Sequence, residues 1–170
     1  MSESEHSKDM EAVGAETAES LAGKHFRRVL NFCRVLLGRD ADAEDAAQNV
    51  FLTVARRRHE IPDVAQPVPW LLQIARLTCL NARRERDRLR PVEVDEPAEP
   101  GPPLPPTENL DRLRELIQSL PERYRTVLAL HFQQGLPHDE MARILGVSRG
   151  ALRVLLHRAV ARLRQETRKR

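Results

Sequence analysis

The sequence predicts an all-α protein with two small helical domains. The 170 residues suffice for one ordinary domain or two small ones. Leu, Ala, Arg and Glu favour helix, whereas aromatic residues, at 4%, are too few for a β-sandwich or barrel. Seven of the 12 prolines fall in residues 91–106, which can hold no helix and lack the apolar residues of a core. We therefore expect an acidic disordered tail, a helical domain, a linker and a second helical domain over residues 1–20, 21–90, 91–108 and 109–170.

The N-terminal half predicts three or four helices. The first runs from Leu21 to Leu37 and is ended by Gly38. In the second, Asp42 is the expected N-cap, and acidic residues fill the first turn. Its apolar residues recur at helical spacing, at Ala46, Val50, Phe51 and Val54. The segment WLLQIARLTCLNARRER is apolar nearly all round at its start, which indicates burial there. Its one polar side carries Gln73, Arg76, Arg83 and Arg84.

The C-terminal half predicts four amphipathic helices. The first three are expected to end near Pro121, at Gly135 and at Gly146. Apolar stripes along these three comprise Leu110, Leu113, Leu116 and Ile117, then Tyr124, Val127, Leu128 and Phe132, then Met141, Ile144 and Leu145. Ser148 caps the long fourth helix, whose apolar face holds Leu152, Leu155, Leu156, Ala159 and Leu163.

The last two helices have the pattern of a helix-turn-helix. A short helix ends in Gly146, Val147 points inward, and Ser148 opens the second helix. At about 100° per residue, the apolar stripe lies within about 60° of Leu152. An adjacent face carries Arg149, Arg153, His157 and Arg164. A helix of this width fits the major groove, where Arg can bind guanine through two hydrogen bonds, and Gly150 permits close approach to the phosphate backbone. The pattern therefore predicts DNA binding.

The net charge of the chain is only +3, but its charged residues are unevenly distributed and form two basic blocks. Residues 76–90 carry a net +4 and residues 149–170 a net +7, whereas residues 1–20 and 91–109 each carry −5. Two basic blocks separated by an acidic one indicate two contact surfaces for a polyanion.

Three segments together resemble a known family. LPERYRTVLALHFQQGLPHDEMARILGVSRGALRVLLHRAVARLR resembles region 4 of the sigma-70 superfamily, in its small two-domain members, the extracytoplasmic-function (ECF) sigma factors. DAEDAAQNVFLTV resembles region 2.2, and WLLQIARLTCLNARRER the end of region 2. The order, the spacing and the intervening linker match over about residues 21–166. The resemblance implies an RNA polymerase sigma factor that directs recognition of the −10 and −35 promoter elements.

The resemblance also implies partners and site residues. Region 2.2 would dock on the β′ clamp helices of core RNA polymerase through Asp45, Gln48, Asn49, Phe51 and Leu52, and region 4 on the β flap. The −10 element would meet His59, Arg76, Arg83 and Arg84, with a flipped-out base near the loop from His59 to Pro69. The −35 element would meet Ser148, Arg149, Gly150, Arg153, His157 and Arg158. An anti-sigma factor would insert between the domains and mask helix 44–58 and the 110–134 helices.

Other classes of function have little support in the residues. The acids Asp42, Glu44 and Asp45 fit a helix first turn better than a catalytic or metal cluster, and the six His residues have no metal-ligand spacing. Cys33, Cys79 and Trp70 are expected in the core. We expect no enzyme activity, cofactor, small-molecule substrate or membrane contact, and a cytoplasmic protein.

Two other functions remain open on the sequence alone. One is a dimeric helix-turn-helix regulator that binds a palindrome, with the N-terminal half as its ligand or dimerisation domain. The other is an adaptor that binds polymerase without opening promoters. Co-purification with core polymerase separates the sigma factor from the regulator, and promoter opening separates it from the adaptor.

Overall fold

The computed structural model describes residues 17–57, 67–89 and 108–168, and the described residues are helical with short connections and no strand. This confirms the all-α class. The helices are α1 (Ala18–Leu37), α2 (Asp40–Arg56), α3 (Val68–Leu89), α4 (Glu108–Ser119), α5 (Glu122–Leu128), α6 (His138–Leu145) and α7 (Arg149–Arg168). None of the described helices is long and apolar enough to cross a lipid bilayer.

Helices α1, α2 and α3 pack against one another around an apolar core. Phe32 of α1, Val50 of α2 and Leu72 of α3 are fully buried there. Burial of such side chains stabilises the bundle by about 1.5–3 kcal/mol each. Thr17 caps the start of α1, because its Oγ1 accepts a 3.1 Å hydrogen bond from the backbone N–H of Ser20. Gly38 ends α1 in the left-handed conformation, with φ of 82°, which confirms the predicted stop.

The prediction that Asp42 caps α2 is wrong. The helix begins earlier, at Asp40, after Arg39, which makes no side-chain capping bond. Asp42 lies in the first turn, and its carboxylate is 3.2 Å from Arg86 of α3 and 3.8 Å from Arg39. These cations hold the carboxylate, while Asp40 and Asp42 together place negative charge at the positive end of the helix dipole. Asp42 therefore joins α2 to α3 instead of capping α2.

In the C-terminal half, α5 packs against α7 and continues into a π-helical turn, Ala129–Gln133. Val127 and Leu128 are buried, as the apolar pattern predicts for this stretch, and Leu130 is fully buried as well. The placement of Phe132 on that buried stripe is wrong, because its side chain is 69% exposed. A π-helical turn holds more residues than an α-helical turn, so it rotates Phe132 away from the direction that α-helical spacing assigns to it.

The two halves of the chain contact each other directly, since α1 packs against α4 and α5, and α3 against α6. Arg125 of α5, only 2% exposed, donates hydrogen bonds to the side-chain and backbone oxygens of Gln118. Gln118 in turn donates a 2.8 Å hydrogen bond to the backbone oxygen of Val35 in α1. A Cβ at Gly38 would lie 2.8 Å from the Gln118 side chain, so this glycine also permits the close approach of the two halves.

Cys33 and Cys79 lie in the core, as predicted, and are 0% and 2% exposed. The hydrogen bond between the two thiols, together with burial, raises the pKa of Cys79 far above its ordinary value. We expect iodoacetamide at pH 8 to leave both residues unmodified in the native protein, because both side chains are buried and because the raised pKa of Cys79 disfavours its thiolate, the reactive form. In guanidinium chloride both should be carbamidomethylated, as counted by mass spectrometry. Rapid labelling of the native protein would contradict this.

Candidate nucleic-acid and protein interfaces

One face of α2 is exposed to solvent and carries four of the five residues predicted to dock on polymerase. Asp45, Gln48, Asn49 and Leu52 are all exposed, and at about 100° per residue they lie within about 100° of one another. We call these four residues the α2 face. Asp45 and Gln48 make no hydrogen bond or ion pair with the residues that the structure describes. The α2 face therefore offers a carboxylate, two amides and an apolar side chain to an external partner.

The fifth predicted docking residue, Phe51, lies on the buried side of α2. It is 9% exposed, and its ring packs on Phe26 of α1 with centroids 5.8 Å apart. The same side of α2 buries Ala47, Val50 and Val54. Phe51 therefore supports the α2 face from within and does not belong to the exposed surface.

The basic residues of α3 differ in accessibility. Arg84 is exposed and Arg83 half-buried, and neither is bonded to a described residue. Arg76 is half-buried, and its Nη1 lies 3.5 Å from the backbone oxygen of Ile144 at the end of α6. Its Nε is buried without a hydrogen-bond partner in the described chain. His59 and most of the loop predicted to hold a flipped base lie outside the described residues. Of the arginines predicted at the −10 element, Arg83 and Arg84 are therefore the two that have no described partner.

Helices α6 and α7 form the predicted helix-turn-helix. Gly146 ends α6 with φ of 65°, and its backbone N–H bonds back to the last turn of α6. Ser148 caps α7, since its Oγ accepts a 3.1 Å hydrogen bond from the N–H of Ala151. Leu152 and Ala159 are fully buried and fix the orientation of α7. Both predicted turn signals, Gly146 and Ser148, are confirmed.

The start of α7 carries an open basic depression of about 520 Å³, lined by His138, Arg149, Gly150 and Arg153. Arg149 forms a 2.8 Å ion pair with Asp139 of α6, which orients its guanidinium. Arg153 and His157 are exposed and make no polar contact with described residues. The residue pattern did not reveal His138 and Asp139, because only the turn brings α6 beside these arginines. The depression presents two arginines at the start of the exposed helix.

Arg158 belongs to a different surface. It lines a wider groove of about 700 Å³ between α5 and α7, together with Pro121, Tyr124, Val154 and other residues. At about 100° per residue, Arg158 is about 140° around α7 from Arg153. Gly150 borders both surfaces. Of the six residues predicted at the −35 element, Arg149, Gly150 and Arg153 line the basic depression and Arg158 lines the second groove, whereas Ser148 and His157 are exposed and line neither.

Within the described ranges, no group of three or more His, Cys, Asp or Glu side chains is placed to hold a metal ion. The exposed features are instead a basic helix, a second basic surface and the α2 face. Together with the turn geometry of α6 and α7, they define a DNA-binding protein of the helix-turn-helix class.

Comparison with known proteins refines this class. The model for Sigma-70 region 2 matches residues 21–89, and the model for Sigma-70, region 4 matches residues 110–163. The ECF RNA polymerase sigma factor SigD of Mycobacterium tuberculosis is 32% identical, over 92% of this chain and 84% of SigD. The RNA polymerase sigma factor CarQ of Myxococcus xanthus is 29% identical, over 89% of this chain and 90% of CarQ. The chain belongs to the ECF sigma factors of the sigma-70 family, which are transcription initiation factors.

Solved structures show the same fold. The sigma factor RpoE of Bartonella quintana, in complex with the anti-sigma factor NepR, aligns with a TM-score of 0.71 at 18% identity, over 88% of this chain and 96% of that one. CnrH, in complex with the cytosolic domain of CnrY, aligns with a TM-score of 0.64 at 22% identity, over 87% of this chain and 85% of CnrH. Hereafter α1 to α3 are called region 2, and α4 to α7 region 4.

Proposed function

We propose that this sigma factor binds core RNA polymerase through the α2 face, which docks on the β′ clamp helices. The carrying observation is that Asp45 and Gln48 lie together on an exposed face of α2, while its other side, with Val50 and Val54, packs into the core. Asp45 accepts a charge-assisted hydrogen bond from a basic residue of the clamp, and Gln48 makes a two-way amide contact. Region 4 would add a second contact, with the β flap.

Promoter contacts are divided between the two regions in this proposal. Region 4 reads the −35 element with Arg149, Arg153 and His157 in the major groove, while Ser148 and Gly150 lie against the phosphate backbone of the DNA. The exposure of these side chains along one side of α7 supports the assignment. Region 2 holds phosphates of the −10 element with Arg83 and Arg84, and with Arg76 once it leaves Ile144. His59 and Arg158 are assigned to DNA by family resemblance alone.

Regulation by a protein partner follows from the same membership. We propose an anti-sigma factor that masks the α2 face and the helices of region 4, as the anti-sigma factor NepR accompanies RpoE in its structure. To insert between the two regions, such a partner must replace the direct contacts of α1 with α4 and α5. The proposed protein works in the cytoplasm, with no catalytic activity or cofactor of its own.

Run-off transcription tests the proposed function. Purified chain and core RNA polymerase should together produce discrete transcripts from a library of genomic fragments, and neither should do so alone. A dimeric regulator would instead bind a palindromic duplex by itself with nanomolar affinity, measured by gel shift and sedimentation. An adaptor would bind core polymerase yet yield no transcript. Either of the last two results would contradict the proposal.

A further inference from the structure

An ion pair links the two helices of the helix-turn-helix at the edge of the basic depression. Arg149, the first residue of α7, has its Nε 2.8 Å from Oδ1 of Asp139, which lies in the first turn of α6. The left-handed turn at Gly146 brings these two residues together. Arg149 and Arg153 both line the depression, but of the two only Arg149 has an acidic partner among the described residues.

The packing of α6 against α7 fixes the position of Asp139 relative to the start of α7. Met141 of α6 and Leu152 of α7 are fully buried. Across the turn, the N–H of Val147 donates a 3.0 Å hydrogen bond to the backbone oxygen of Ala142. The carboxylate is therefore held beside the first turn of α7, while the side chain of its arginine partner stays 71% exposed. The acid can orient that arginine without removing it from the surface.

The carboxylate engages one part of the guanidinium and leaves another part open. The ion pair is formed by Nε of Arg149, and the two terminal nitrogens make no hydrogen bond with the described residues. A guanidinium presents its donors in a rigid planar fork, and arginine reads guanine through two hydrogen bonds, to O6 and N7. While Asp139 holds Nε, the pair Nη1 and Nη2 remains available for such a contact.

We propose that Asp139 is a positioning residue, which holds Arg149 toward the base edges of the −35 element and away from the phosphates. An unpaired surface arginine loses side-chain freedom when it binds, and it can also turn to a phosphate, a contact that carries no sequence information. Asp139 reduces the first cost, because Arg149 is already oriented. It opposes the second, because a phosphate must compete with the carboxylate for the guanidinium. This inference rests on the proposed contact of Arg149 with −35 DNA.

The first test measures the order of the Arg149 side chain in the absence of DNA. The variant is Asp139→Ala, and the matched control is Glu140→Ala, which removes an acid from the same turn of α6 that forms no ion pair within the described residues. By 15N relaxation at Nε in the full-length chain, Arg149 should be more ordered than Arg153 in wild type and control. In Asp139→Ala the two arginines should be equally mobile, with unchanged helical circular dichroism. Equal mobility already in the wild type would contradict the inference.

The second test measures base preference. Run-off transcription with core polymerase is compared over templates that each differ at one base pair of the −35 element. Arg149→Ala should lose preference at one base pair, and Asp139→Ala should lose about fivefold of the preference at that same pair. Glu140→Ala should keep it. The double variant Asp139→Ala with Arg149→Ala should match Arg149→Ala alone, because the acid acts only through the arginine.

The outcomes that would overturn the inference are distinct from a failure of the proposed function. An unchanged base preference in Asp139→Ala, or in Arg149→Ala, would overturn it. So would an equal loss of transcription on every template, which indicates a structural effect, or a double variant that loses more preference than Arg149→Ala alone. If the proposed function fails, wild-type chain and core polymerase yield no transcript from any template. The relaxation measurement needs neither DNA nor polymerase.

Discussion

Replacing Asp45 and Gln48 together with alanine is expected to abolish run-off transcription while leaving the fold intact. Both side chains are exposed and unbonded within the described residues, so the change should cost under about 0.5 kcal/mol of folding stability. If the α2 face docks on the clamp helices, the loss of a charge-assisted bond and an amide contact should weaken core binding at least tenfold, about 1.4 kcal/mol. Fluorescence titration with core polymerase measures the affinity, and run-off assays measure the outcome.

The matched control for this double variant is Glu85→Ala with Gln73→Ala. It also removes one acid and one amide, from exposed positions on α3. In the absence of DNA, this control should bind core polymerase as the wild type does. The double variant should also keep the affinity of the wild type for −35 duplex, because α7 is unchanged. Transcription at wild-type level from the Asp45 and Gln48 variant would show that the α2 face is not the docking surface.

Arg153→Ala is expected to weaken binding of the −35 duplex by about 1–3 kcal/mol and to relax base preference at one or two positions. Arg153 is exposed on α7 beside Arg149 and lines the basic depression. A guanidinium in the major groove bonds to guanine O6 and N7 together, so its loss removes discrimination as well as affinity. Binding to a set of duplexes, each changed at one base pair of a promoter found by run-off transcription, measures both.

Arg162→Ala is the matched control, from the same helix. Arg162 lies nearer the end of α7 and is held by Glu166 at 2.9 Å, so its loss should change base preference at no position. A uniform loss of affinity on every duplex for Arg153→Ala would show that Arg153 holds phosphate and does not read bases. That outcome would leave Arg149 and His157 as the remaining candidates for base recognition.

Local signals predicted most of the fold. Gly38 and Gly146 end their helices in the left-handed conformation, and Ser148 caps α7, because each acts within a few residues of itself. The exposed α2 face likewise follows from helical spacing. Asp42 was misassigned because its partner, Arg86, is 44 residues away along the chain. Phe132 was misassigned because no pattern of apolar residues reports a π-helical turn.

The candidate sites were predictable only where one helix forms them. Arg149 and Arg153 share a helix and meet as expected, whereas Asp139 and His138 join them through the fold of the turn. Counting charges along the sequence does not distinguish Arg76 from Arg83 and Arg84. The position of the Arg76 side chain nevertheless depends on its contact with Ile144 of α6, 68 residues further along the chain. Whether an arginine faces solvent or a distant carbonyl is decided by tertiary packing, which local spacing does not contain.

The hydrogen bonds between region 2 and region 4 affect which substitutions relatives of this chain can accept during evolution. Of the five such bonds among the described residues, four end on main-chain oxygens, at residues 31, 35, 134 and 144. Every residue type carries that oxygen, so substitutions at Asn31, Val35 and Ile144 retain the acceptor, although Ile144 must stay apolar because it is buried in the core. Two residues in contact are usually detected in an alignment because their substitutions are correlated. At this contact we therefore expect such covariation to be weak. We therefore expect relatives to retain this contact between the two regions even where alignment columns show no covariation.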